Sequence, residues 1–144
     1  MKKTVIILFS LLVVLSVCAQ KRHFSPQQFQ ADLEKYIVRE AKLTNKEAAK
    51  FLPVYSEMRS KQRALFDEKK RYRHMKPTTD EECKKIIQKS DAIDTQIKNL
   101  EIRYHNRFLK LLPARKVYDV LKAESRFHRQ AFKKMNAGRN KSGK

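Results

Sequence analysis

The chain has 144 residues, a formal charge of +19, two glycines and two cysteines. A chain of this length builds one domain core and not two. With glycine confined to Gly138 and Gly143, it has no glycine-rich loop to cradle a phosphate and no dinucleotide fingerprint. The first segment, MKKTVIILFSLLVVLSVCAQ, reads as an export signal: Lys2 and Lys3 precede an apolar run from Val5 to Val17, and Val17 and Ala19 are small residues placed for cleavage before Gln20. That run is about thirteen residues, well short of the roughly 20 a spanning helix needs. Cys18 follows Val17, a poor fit before a lipidated cysteine, so cleavage rather than a lipid anchor is expected. We therefore expect a cleaved leader over 1–19, a single helical domain over 20–135, a disordered basic tail over 136–144, a periplasmic location and no membrane span after cleavage. Loss of Lys2 and Lys3 leaves +17. In an exported protein that charge meets envelope surfaces and acidic proteins rather than nucleic acid.

The body reads as four helices. The first, from Pro26 to about Lys42, follows Ser25 as cap with proline at the first helical position, and carries Phe29, Leu33, Tyr36, Ile37 and Ala41 on one face. The second, from Asn45 to about Met75, opens on Thr44 with Glu47 three residues on. Its stripe runs Ala48, Phe51, Tyr55, Met58, Gln62, Leu65, Lys69, Tyr72. Pro53 falls inside it and removes a backbone donor. Either the helix bends there, giving a concave side, or it ends at Leu52 and restarts; the unbroken step from Phe51 to Tyr55 to Met58 favours the bend.

Thr79 and Glu82 open the third helix, Asp80 to Leu111, whose stripe runs Cys83, Ile86, Ile87, Ser90, Ile93, Ile97, Leu100, Tyr104, Phe108, Leu111. The second and third helices are each on the order of 45 Å long. Joined by the short turn at Lys76-Pro77-Thr78, they should fold back as a long antiparallel hairpin. Two helices of that length cannot bury their stripes within one compact chain, so a homodimer is expected, with polar seam positions Gln62, Lys69 and Ser90 helping to fix register. The fourth helix starts at Pro113 or Ala114 and presents Val117, Val120, Leu121, Phe127, Ala131 and Met135. Cys83 reads either as a small residue packed in a helix seam, which the usual burial of free cysteine favours, or as half of a disulfide between chains.

Two helix starts carry a resemblance. Leu43-Thr44-Asn45-Lys46-Glu47 resembles the LTxxQ motif of the Spy/CpxP family of envelope-stress proteins, with Glu47 in place of glutamine. Leu111-Leu112-Pro113-Ala114-Arg115 resembles a second, degraded copy, with Leu112 for threonine and Arg115 for glutamine. The resemblance implies a cradle-shaped helical dimer. It also implies one of three roles: an ATP-independent periplasmic chaperone of unfolded or partly folded envelope proteins, a regulator docking on one stress-sensor domain (a kinase or an anti-sigma factor), or a metal-responsive relative.

Holding unfolded clients without ATP asks for exposed cations beside scattered apolar groups. Leu52, Arg59, Arg63, Phe66 and Lys70 fall in one narrow arc of the second helix, at the edge of its stripe, and are the first candidate surface. The bland alternative is that Leu52 and Phe66 widen the core stripe while the arginines snorkel over it. Arg103, Arg107 and Phe108 near the end of the third helix form a second, weaker candidate, which the helix dipole alone would also explain. Binding to anionic polymer or lipid through charge alone is a further reading. No catalytic constellation is expected: the acids sit beside bases at helical spacing, as in Glu57 with Lys61, and no nucleophile has a recognisable base. No cofactor and no metal are expected either. His23, His74, His105 and His128 are scattered, and no two share a three- or four-residue spacing; a site assembled between helices or between chains stays open.

Overall fold

The computed structural model describes residues 25–141, with side chains through residue 138. The leader expected over 1–19, including Cys18, and residues 142–144 lie outside the described residues. The described chain is all-α, with α1 Pro26–Glu40, α2 Asn45–Arg73, α3 Asp80–Leu111 and α4 Ala114–Lys141, and without a strand among the described residues. Its contacts group into two units that divide after Ala31. In the first, residues 25–31 are described: Ser25 caps α1, its hydroxyl accepting from the Gln28 N–H at 3.2 Å while its carbonyl accepts from Phe29 at 2.9 Å.

The second unit, from Asp32 on, holds the core. α1 stops because Lys42 takes φ 50°, the left-handed conformation. The Leu43 N–H then reaches back to the Val38 carbonyl at 3.0 Å and the Lys42 N–H to that of Arg39 at 3.2 Å. This six-to-one, five-to-two pair is a Schellman closure, here with lysine where glycine is usual. It turns Leu43 into the core and leaves Thr44 as the cap of α2.

The Thr44 hydroxyl accepts from Glu47 N–H at 3.2 Å, and the Glu47 carboxylate accepts from Thr44 N–H at 2.8 Å. Both halves of the capping box are therefore made. Thr79 and Glu82 repeat the box at the start of α3. α2 then runs without interruption through Pro53, so it neither ends at Leu52 nor restarts. Leu112, extended, closes α3, and the Pro113 carbonyl accepts from Lys116 and Val117 to start α4. The second motif-like copy thus caps without a threonine.

α2 and α3 pack along each other in antiparallel register, as their cross-links show. Lys69 pairs with Asp94, Gln62 Nε2 donates to Glu101 Oε1 at 3.2 Å, and Arg107 pairs with Glu57 at 3.0 Å. Polar seam positions Gln62 and Lys69 therefore fix register within one chain. At the end where α2 and α4 start, Leu33 and Ile37 of α1, Phe51, Tyr55 and Met58 of α2, Leu100, Tyr104 and Phe108 of α3, and Val117, Val120 and Ala123 of α4 form one core. Phe51 and Phe108 lie edge to face with centroids 4.9 Å apart.

Three expectations need correction. Phe108 is fully buried, so it builds the core and is no client-binding surface. Cys83 is exposed, not packed in a seam, because the stripe of α3 goes under cover only from Ile93 onward. The polar tail does not begin at 136: α4 is helical to Lys141. No proline follows to stop it, and the cost of Gly138 in a helix, about 1 kcal/mol, does not end one by itself.

Candidate functional site

A groove of about 490 Å³ opens between α2, α3 and α4, with Phe66 and Leu121 at its apolar side, buried Met58 beneath, and polar groups along its floor. α2 contributes Arg59 and Gln62 on adjacent turns, α3 contributes Glu101 and His105, and α4 contributes Glu124 and His128. Each of the latter two pairs spans four residues, one helical turn on a shared face. Gln62, only 5 % exposed, is the hub. Its amide donates to Glu101, and its carbonyl oxygen accepts from Arg59 Nη1 at 3.3 Å. The same guanidinium nitrogen lies 3.3 Å from Glu124 Oε1, and His128 Nε2 lies 3.8 Å from that oxygen.

Burial pushes the Glu124 carboxyl up, but hydrogen bonding to His128 and the charge of Arg59 outweigh it and hold the group below its usual value. Beside it the Tyr55 hydroxyl is buried without reaching hydrogen-bond geometry. Burial first, and the Glu124 charge after it, push the phenol far up. Arg59 Nε is also buried without an acceptor.

The candidate row on α2 divides here. Phe66 is 50 % exposed at the groove edge, and Arg63 and Lys70 are exposed along the same arc. Leu52 is half-buried against the core, as the bland alternative held for it, and Arg59 is committed to Glu124. On α3, Arg103 is exposed, while Arg107 pairs with Glu57 and stacks over the Tyr104 ring, guanidinium carbon to centroid 4.7 Å. Lys61, with Arg107 beside it, holds the Glu57 carboxyl at about 2.

No known protein family, curated protein or solved structure matches this chain. The site stands on its own geometry.

The cap residues have definite tasks. Leu43 is buried, and Thr44 with Glu47 starts α2. Lys116, in the first turn of α4, pairs with Glu47 and donates to the Lys42 carbonyl at 3.0 Å. The two motif-like corners, Leu43 to Glu47 and Leu111 to Arg115, are therefore tied together by one lysine just beyond the second. Leu111 is half-buried and Pro113 exposed.

Reading by spacing alone missed His105 and His128, which lie 23 positions apart yet line one groove. Only the fold of α4 back onto the hairpin joins them. Among the described residues no three His, Cys, Asp or Glu groups converge on one point as metal ligands, and no helix is long and apolar enough to cross a membrane.

Proposed function

We propose that this chain is an exported binding protein of the Spy/CpxP type that holds unfolded or partly folded envelope proteins without ATP, as a cradle-shaped homodimer. The observation that carries the reading is the groove edge: Phe66 half-exposed beside an open apolar and polar groove, continued by exposed Arg63 and Lys70. Cations speed encounter with acidic unfolded segments, and isolated apolar side chains hold them weakly enough to let go. The tied corners at Leu43 to Glu47 and Leu111 to Arg115 support the kinship with this family, because Leu43, Thr44 and Glu47 of the first motif each have a structural task there.

The test is light scattering of several unrelated denatured proteins diluted with and without the purified protein, at low and high salt, with an equally basic inert protein as control. Suppression that the control lacks, and that Phe66→Ser with Arg63→Glu abolishes while helicity is kept, is the expected result. No suppression beyond the control overturns the chaperone reading.

A regulator is the second reading, favoured by the fixed polar floor. The chain Glu101–Gln62–Arg59–Glu124–His128 presents one pattern of donors and acceptors, which suits one folded sensor domain better than many disordered clients. It predicts capture of a single folded envelope partner, lost in Gln62→Leu. The metal-responsive reading requires Glu101, His105, Glu124 and His128 to close on one ion, and zinc titration by calorimetry tests it.

A further inference from the structure

The hairpin end carries a surface that neither the core nor the groove uses. Tyr72, Pro77 and Ile86 line an apolar hollow of about 440 Å³, with Lys76, Lys85 and Lys89 at its rim. Met75 there is 56 % exposed, and Ile87, next in sequence to the lining residue Ile86, is 61 % exposed. None of the three lysines has an ion pair among the described residues. The acidic residue of the lining, Glu82, is turned back into its capping box, accepting from the Thr78 N–H at 2.7 Å and the Thr79 N–H at 3.3 Å, and those backbone bonds hold its carboxyl below the usual value. From residue 70 to 89 seven Lys and Arg face three acids, a net of +4. The acids that oppose the lysines are Asp80 and Glu81, exposed in the first turn of α3.

We propose that this hairpin end docks on an anionic bilayer surface. Apolar side chains clustered around a turn present themselves about a point, so they enter a soft surface readily and offer an extended peptide no length to lie along. Met75, Pro77 and Ile87 suit the boundary between headgroups and acyl chains. The lysines at the rim reach anionic phosphates on aliphatic stems that themselves rest on the apolar patch. The dock is peripheral, since no described helix is long and apolar enough to cross. It stands independently of the chaperone reading.

The chain has no tryptophan, so a single Met75→Trp reports on this end alone, with Thr95→Trp on an exposed position of α3 as control. Vesicles of phosphatidylglycerol with phosphatidylcholine, and of phosphatidylcholine alone, are added to each full-length variant, and emission and co-sedimentation are read. The expected result is a blue shift of the Met75→Trp emission, and none of the Thr95→Trp emission, on the anionic vesicles only. Met75→Ser with Ile87→Ser, which leaves charge unchanged, lowers partitioning about tenfold. Lys76, Lys85 and Lys89→Gln lowers it roughly a hundredfold. Lys122, Arg129 and Lys133→Gln, an equal loss of charge on α4, changes it less than about threefold by the same arithmetic.

Equal losses from the two triple variants, or no shift in Met75→Trp, overturn the proposal and reduce the binding to net charge. An acidic polypeptide that shifts the Met75→Trp emission where vesicles do not overturns it in favour of a protein partner. Circular dichroism of each variant confirms that helix content is unchanged before partitioning is compared.

Discussion

Phe51 and Ile87 belong to the same pair of helices and to the same kind of apolar stripe, yet Phe51 is fully buried and Ile87 mostly exposed. Along α2 and α3, every residue between Gln62 and Ile93 escapes full burial, whereas the half toward the start of α2 and the end of α3 is closed by α1 from Leu33 on and by α4 through Val120 and Ala123. Two helices facing each other bury only the narrow seam between them. A third and fourth are needed to cover its flanks. The difference separates a half that is built to be stable from a half that is free to be used.

The largest effect that tests this division is cavity formation. Phe108→Ala removes a ring packed on Phe51 and Tyr55 and should cost about 3–5 kcal/mol in urea unfolding. Ile87→Ala, on the same helix, should stay within about 0.5 kcal/mol. A cost of about 2 kcal/mol at Ile87, far above the surface-substitution range, would mean that something, such as a second copy of the chain, covers the far half in solution, and would break the comparison at its weaker end.

Next comes the groove floor. Glu124→Ala leaves the Arg59 guanidinium half-buried without its carboxylate and should cost about 2 kcal/mol. The same contact sets a pH dependence. The folded-state value of Glu124 lies below the usual 4.5, so its contribution is fully present above 4.5 and is lost as pH falls through the lower folded value. Glu47, held down first by Lys116, and Glu57, held down first by Lys61 to about 2, act in the same direction. Unfolding midpoints should therefore fall from pH 4.5 toward pH 2, less steeply in Glu124→Ala. A wild-type midpoint flat over that range would refute the assignment.

How far the sequence alone reaches follows the same divide between local and distant. The boxes at Thr44 and Thr79 and the helix starts at Asn45, Asp80 and Ala114 are legible because each is settled within about four residues by backbone donors seeking acceptors. Phe108 and Phe66 are both aromatic with arginines nearby, but Phe108 lies on the stripe of its helix and Phe66 only at the edge of its own. The period marks Phe108 for cover; which helix comes to lie over it, and that none covers Phe66, no local period encodes. Likewise Arg59 is a solvent-facing cation by its arc on α2 until Glu124, 65 residues on, arrives beside it. Of the groove, Arg59 and Phe66 lay on a legible face; Glu124, His105 and His128 did not, because their proximity is a product of α4 folding back.

The two capping boxes sharpen the comparison at about 1 kcal/mol. Thr44→Ala and Thr79→Ala each remove the same side-chain acceptor, with the same intrinsic cost of about 1 kcal/mol. At Thr44 the helix start is part of the covered half, so the loss should appear in full in global unfolding. At Thr79 the helix start belongs to the uncovered end, which can open without the core opening. There the loss should appear as faster amide exchange in residues 70–90, with a smaller change in the global midpoint. Equal global losses and unchanged exchange would show that the hairpin unfolds as one unit.

The smallest effect has the opposite sign. Lys42 holds φ 50° at the Schellman closure, where a side chain meets the following carbonyl and glycine does not. Lys42→Gly relieves that strain but loosens the unfolded chain, which offsets part of the gain. The closure depends on main-chain bonds from Lys42 and Leu43 to Arg39 and Val38, and the Lys116 ammonium contacts the Lys42 carbonyl rather than its side chain. Nothing else at the corner need change, and the net should be about 0.5 kcal/mol of added stability, read as a rise in the urea midpoint with an unchanged slope. Because the covered half contains this corner, the rise should leave amide exchange at residues 70–90 where it was. A parallel slowing there would mean that α1 and the hairpin end open together, and the two halves would be one.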